Sequence, residues 1–164
     1  MKLFVLGCGL LRRDDSVLLV RCRYENEPQP LWALPGGGQE TGETLAVTVR
    51  REFLEETSLE IEVKDVAYVS ESVDSPRDLH VINCTFWVSE ADPSVQPRSA
   101  DPKVVEARFV PIAEAPSILQ ADVIRIPVHA ALRGKTQPHY YSFQDKDIAV
   151  PFFGRHRATG LKGS

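Results

Sequence analysis

Glu52, Glu55 and Glu56 stand at i, i+3 and i+4. On a helix, at about 100° per residue, this spacing gathers three carboxylates on one side of two turns. Like charges so placed repel by roughly a few tenths of a kcal/mol each, so the helix gains nothing from them alone. Arg50 and Arg51 offset part of that repulsion. An oxygen-rich cluster suits a hard divalent ion, Mg²⁺ or Mn²⁺, better than zinc. Three bare glutamates are more often a solvated helix face, and the residues around them must decide.

Upstream, Leu34-Pro35 leads into Gly36-Gly37-Gly38, a backbone free to turn sharply or to approach a ligand closely. Glu43 follows Gly37 by six residues, and Arg51-Glu52 begins eight after Glu43. Written out, Gly37-x5-Glu43-x7-Arg51-Glu52-Phe53-x-Glu55-Glu56-x-Ser58-Leu59 resembles the Nudix box, G-x5-E-x7-R-E-U-x-E-E-x-G-U with U apolar. Eight of nine specified positions agree across 23 residues, a far more specific signal than a lone glycine motif. The departure is Ser58, where the pattern has glycine. That position falls just past the helix end, where the left-handed conformation is favoured. Serine there is expected to cost about 1 kcal/mol of stability and to leave the site intact.

The resemblance to Nudix hydrolases implies an α/β/α sandwich, a mixed β-sheet flanked by helices. It implies cleavage of a pyrophosphate bond in a nucleoside diphosphate linked to another group, with Mg²⁺ or Mn²⁺ as cofactor. Carried over residue by residue, Glu52, Glu55 and Glu56 would be metal ligands, joined by the Gly36 carbonyl. Arg51 and Glu43 would pair and orient the glutamates, and Glu52 is the favoured general base. Gly37 and Gly38, with Arg21 and Arg23 of the second strand, are the expected substrate-binding residues. A distant acid often joins such sites. Glu90, Asp92, Asp101 and Glu106 are the candidates, and Glu106 is preferred because it precedes a strand. Tyr24, Trp32, Tyr140, Tyr141, Phe152 and Phe153 are candidates for stacking a base. No particular substrate follows from the sequence.

The elements that must position these groups read as follows. Residues 2–11 and 17–22 are apolar runs separated by polar turn residues, a pair of central strands. Residues 24–31, with two prolines, form a loop. Thr44 is a fitting N-cap for a helix to Thr57, with Leu45, Val49 and Phe53 as its apolar stripe. Strands are expected at 61–71, 79–88 and 104–112. A proline-bearing loop at 90–103 separates the last two. A second helix is expected at about 121–133, kinked or started by Pro127. Residues 138–154 are aromatic-rich and match no template. Strands before, between and after two helices point to a mixed sheet covered on both faces. The expected organisation is one domain over 1–154 and a basic tail over 155–164.

The 164 residues carry a formal net charge of −4 with no long Lys/Arg run, which argues against a stable nucleic acid partner. No stretch reaches the roughly 18 apolar residues of a membrane span. Val5-Leu6-Gly7-Cys8 imitates a lipoprotein signal, but only Met1 to Phe4 precede it. Cys8, Cys22 and Cys84 are an odd, widely spaced set, expected to be reduced and buried in the cytoplasm. The four histidines show no metal or triad spacing. A homodimer is a further expectation of the resemblance. The competing readings are a Nudix-fold binding or regulatory protein without catalysis, and a globular α/β protein with an accidental acidic helix. An intact Arg-Glu-x-x-Glu-Glu core disfavours the first, and the glycine loop with its exact spacings disfavours the second.

Overall fold

The two opening apolar runs form strands that share a turn and little else. A computed structural model describes residues 1–25, 27–134 and 139–145. In it β1 (Lys2–Arg13) and β2 (Ser16–Cys22) pair only at Arg12–Val17 and Arg13–Ser16, then part. The expected pairing of these two strands is present and is confined to the turn between them. Each is apolar on both faces, so each needs cover on both sides and takes a central place of its own.

The remaining strands are β3 (Leu31–Ala33), β4 (Gly36–Gly38), β5 (Ile61–Asp74), β6 (Leu79–Glu90), β7 (Val104–Pro111) and β8 (His139–Gln144). The helices are α1 (Leu45–Thr57), α2 (Ala115–Ile118) and α3 (Asp122–Leu132). The sheet runs β3-β2-β1-β6-β5-β8, with β4 also on β1 and β7 also on β2. β1 lies parallel to β6 and β5 parallel to β8, while the other pairs are antiparallel, so the sheet is mixed.

Alternation along β1 divides the interior. Leu6, Cys8 and Leu10 face one side, where they meet Tyr68, Val81 and the α3 residues Val123, Ile124 and Val128. Leu11 joins the other side with Val49 and Phe53 of α1, Leu59 and Val88. Each such side chain, once buried, contributes about 1.5–3 kcal/mol of transfer free energy. The sandwich expected from the pattern of strands and helices is present.

Pro127 lies inside α3 rather than in its first turn. The single turn of α2 has no apolar period to announce it, although Pro116 in its first turn fits a helix start. β8 accounts for part of the unassigned aromatic segment. Phe152, Phe153 and the expected tail over 155–164 lie outside the described residues. Among the described residues no helix is long and apolar enough to cross a membrane, and no disulfide joins Cys8, Cys22 or Cys84.

Candidate active site

Helix α1 is fixed in rotation before any of its charges matter. The Thr44 hydroxyl caps it by accepting from the Val47 N–H at 3.4 Å. Val49 and Phe53 are fully buried against the sheet. With that stripe pinned, the glutamates separate by environment. Glu52 and Glu56 turn inward and are 6% and 0% exposed, whereas the Glu55 side chain stays 51% exposed.

Gly36–Gly38, whose composition allows either a sharp turn or a close approach, forms the short strand β4, paired with β1 at Leu6–Gly38, Gly7–Gly37 and Cys8–Gly36. The glycines serve close approach rather than turning. A Cβ on Gly36 would lie 2.4 Å from the Gly7 oxygen and 2.6 Å from the Cys8 Cα, and its φ of 154° disfavours any side chain. A Cβ on Gly37 would lie 2.4 Å from Glu52 Oε1. The bare backbone of β4 thus forms the floor on which the inward glutamates rest. The Gly36 N–H donates to Glu56 Oε1 at 3.4 Å.

Arg51 ties these parts together. Its Nε and Nη2 donate to the two Glu43 carboxylate oxygens at 2.7 and 3.0 Å, a bidentate pair. Its Nη1 donates to Glu52 Oε1 at 2.9 Å, and Nη2 reaches the Gly38 carbonyl at 3.1 Å. The same Nη1 lies 3.6 Å from Glu55 and 3.8 Å from Glu40. Thr48 Oγ1 and the Glu40 N–H also donate to Glu43. Glu40 and Thr48 carry no signal in the sequence pattern that would have singled them out.

The electrostatics follow from this geometry. The Arg51 hydrogen bonds, with those from Glu40 and Thr48, hold the Glu43 carboxyl down to about 2. Glu43 raises the Arg51 guanidinium in return. Burial, then Glu52, raises the Glu55 carboxyl, with smaller contributions from Glu40 and Asp101. A depressed carboxylate stabilises the fold above its ordinary range near 4.5, and that gain fades as pH falls toward about 2. Glu43→Gln should therefore cost on the order of 1–2 kcal/mol at pH 7, after allowance for solvent screening. The cost should shrink below pH 4.5. Urea midpoints of both proteins between pH 7 and pH 3 check this, and a cost independent of pH would refute it.

Among the described residues, no three Asp, Glu, His or Cys side chains converge on one point. The donors nonetheless suit a hard cation: Glu40, Glu52 and Glu55 crowd around one guanidinium nitrogen. They are near enough to one another for Glu52 and Glu40 to raise Glu55. All-oxygen donors that already gather about a positive charge fit Mg²⁺ or Mn²⁺.

The other expected residues are spread more widely. Arg21 lies opposite Trp32 of β3 and Glu106 of β7, and Arg23 follows the end of β2. Both arginines belong with β3 and β7 rather than with α1. Trp32 carries the Arg108 guanidinium over its ring at 4.9 Å. Tyr141 meets Tyr68 edge-on, and Tyr140 is exposed with its hydroxyl on Glu71.

Of the four distant acids, Glu90 is taken by a bidentate pair with Arg13. Asp92 accepts from Ser94 within its own turn. Glu106, the one preferred from sequence, pairs with Arg108 at 2.8 Å. Asp101 is the acid whose charge is felt at Glu55. Ser58 takes the left-handed conformation required at its position, with φ 59° and ψ 18°.

The NUDIX domain family profile matches residues 3–132. Over 78 residues the chain is 40% identical to the ADP-ribose pyrophosphatase of Methanocaldococcus jannaschii, a match covering 48% of this chain and 46% of that protein. The chain thus spans about half the length of the curated relative it matches. Among solved structures, a NUDIX hydrolase from Nitrosomonas europaea has a TM-score of 0.69 at 22% identity, covering 82% of this chain and 91% of that one. An ADP-ribose pyrophosphatase from Streptococcus suis 89-1591 has a TM-score of 0.62 at 18% identity, covering 87% and 98%. At such identities these two likenesses establish the fold.

Proposed function

Because the chain belongs to the NUDIX domain family, we propose that it hydrolyses a pyrophosphate linkage in a nucleoside diphosphate joined to another group. The observation that carries this reading is the pair of buried carboxylates, Glu52 and Glu56, laid against the bare backbone of β4 and held by the Arg51–Glu43 clamp. Burying carboxylates is costly unless something positive compensates them. A diphosphate brings more negative charge, so the compensation must exceed what one arginine supplies.

Glu52, Glu55 and Glu56, with the Gly36 carbonyl, would hold Mg²⁺ or Mn²⁺. Such an ion, when bound, lowers the pKa of water and neutralises charge on the diphosphate. Glu43 positions Arg51, and Arg51 holds the Glu52 carboxylate in one orientation. Gly37 is covered by the Glu52 carboxylate, so the half-buried Gly38 is the β4 backbone that phosphate oxygens would approach.

Glu52, favoured as the base from sequence, is buried and already accepts from Arg51. Glu55 is half-exposed, and its carboxyl is raised by burial and by Glu52. It is the better placed group to take a proton from water entering from solvent.

The test is hydrolysis of a nucleotide panel with Mg²⁺, with Mn²⁺ and with chelator, scored by released products. ADP-ribose heads the panel because the archaeal relative is named for it; nucleotide sugars, dinucleoside polyphosphates and nucleoside triphosphates follow. Metal-dependent release of a nucleoside monophosphate is expected. Nucleotide binding without turnover on any member would favour the regulatory reading instead.

A further inference from the structure

Thr48 takes the first place in the buried row of α1. Thr48, Glu52 and Glu56 recur at i, i+4 and i+8, so they share one face, and all three are buried. A buried hydroxyl is costly unless it has a partner. The helix backbone does not need it, because the Thr44 carbonyl already accepts from the Thr48 N–H at 3.0 Å. The hydroxyl lies 3.3 Å from that carbonyl and 2.9 Å from Glu43 Oε2. It has one proton to give, and the shorter bond, to a charged acceptor, is the stronger.

The backbone of Glu43 is pinned on both sides. Its N–H donates to the Glu40 carbonyl at 3.1 Å, and its carbonyl accepts from Gln39 Nε2 at 2.8 Å. Its carboxylate accepts from Arg51, from the Glu40 N–H at 3.2 Å and from Thr48. Glu40 shares the loop of Glu43, and Arg51 donates from the end of a long side chain. Thr48 is a short, buried donor on the helix itself, so it ties the carboxylate to α1. Arg51 has other acids within reach. Its Nη1 is 2.9 Å from Glu52, 3.6 Å from Glu55 and 3.8 Å from Glu40. A guanidinium with three carboxylates about one nitrogen takes the orientation that its other nitrogens dictate. Those are set by Glu43 and the Gly38 carbonyl. Whatever turns Glu43 therefore turns Arg51 off Glu52.

We propose that Thr48 is a positioning residue: its hydroxyl fixes the Glu43 carboxylate, and through it the Arg51 guanidinium, so that Glu52 is presented in a single orientation. This rests on the reading of the buried carboxylates as the hydrolytic centre. Thr48 touches no reacting group and acts through two links, Glu43 and Arg51. Fixing such a chain before the substrate arrives leaves less to order in the transition state.

The test uses the full chain with Thr48→Val, Thr48→Ser, Glu43→Ala and the Glu43→Ala/Thr48→Val double variant. Ile61→Val is the comparator, since Ile61 belongs to the core that α1 covers and bears no polar group. Four readouts are needed: thermal midpoint, solvent exchange of the Arg51 Nε–H by magnetic resonance, affinity for Mn²⁺ alone by its paramagnetic signal, and kcat with KM at saturating Mg²⁺. Thr48→Val should melt about 2–4 °C lower, the effect of losing one hydrogen bond, and Ile61→Val should melt lower by a similar amount. In Thr48→Val the Arg51 Nε–H should exchange about tenfold faster. Mn²⁺ affinity and kcat should each fall about three- to tenfold, with KM little changed. Thr48→Ser keeps the hydroxyl, so exchange, affinity and kcat should return to within about twofold of wild type. Glu43→Ala should lower kcat about 10- to 100-fold, and adding Thr48→Val should cost nothing more.

A structural role alone would make Thr48→Val behave like Ile61→Val, melting early with the arginine exchange, Mn²⁺ affinity and kcat of wild type. That result overturns the proposal. A Thr48→Ser protein as impaired as Thr48→Val overturns it too, because packing rather than the hydroxyl would then matter. So does a double variant whose losses multiply. If wild type binds Mn²⁺ and hydrolyses nothing, the arginine exchange and the affinity still decide the role of Thr48, and the hydrolase reading fails alone.

Discussion

Glu56→Gln is expected to lower the rate of metal-dependent hydrolysis by about 10²-fold or more, with the fold left standing. Glu56 is fully buried at the end of the carboxylate row, with one oxygen toward the Gly36 N–H. Glutamine keeps the shape and one acceptor but removes the charge that would face a cation. Neutralising a buried carboxylate also removes its desolvation penalty, so the urea midpoint should hold or rise. Glu60→Gln, an exposed position on the strand side of Ser58, serves as the control and should leave both quantities unchanged. Steady-state rates with Mg²⁺ and with Mn²⁺, alongside urea denaturation, settle the matter. A Glu56→Gln protein of wild-type rate would remove Glu56 from the chemistry.

The second large effect comes from two neighbouring glycines that should fail in different ways. Gly36→Ala drives a methyl group into the Gly7 carbonyl and the Cys8 backbone, at a φ that side chains avoid. Neither obstacle can swing aside, so a loss of about 2–4 kcal/mol of stability is expected. Gly37→Ala meets the tip of Glu52 instead, 2.4 Å from its Oε1. A flexible side chain can move away cheaply, so stability should change by less than about 1 kcal/mol. The displaced carboxylate is the one Arg51 orients, and a misplacement of about 1 Å near reacting groups costs on the order of 10²-fold. Melting curves and rates for the two variants should therefore separate, one unfolding early and the other folding normally but turning over slowly. Full activity in Gly37→Ala would mean that the reaction does not need Glu52 where the structure places it.

How much of this was legible in the sequence depended on whether a local rule applied. The α1 stripe of Val49 and Phe53 and the Thr44 cap follow from helical period and capping chemistry, and both are present. The long strands were readable from apolar runs, but their partners were not. Nothing local reveals that β1 leaves β2 after one turn to lie beside β6.

Gly36–Gly38 stayed ambiguous for a physical reason. Glycine is permitted both in turns and wherever two backbones crowd, and the sequence does not distinguish them. The choice among Glu90, Asp92, Asp101 and Glu106 was not legible for another. Which acid is free depends on Arg13 and Arg108, residues far away in sequence that neutralise Glu90 and Glu106. Ser58 read as a blemish on a pattern because its partner carbonyl lies forty residues downstream.

The position of β1 carries a last consequence. It takes α1 on one face, the α3 layer on the other, and β4 and β6 along its edges. The glutamate row hangs from α1 and rests on β4, so it inherits the stiffness of a strand enclosed on both faces and along both edges. The stretch at 91–103, by contrast, bridges β6 and β7 and meets α1 at its end, through the bonds of Arg98 to Thr57 and Ser58. A substitution that loosened β1 would therefore loosen the teeth of the molecule together with its jaw.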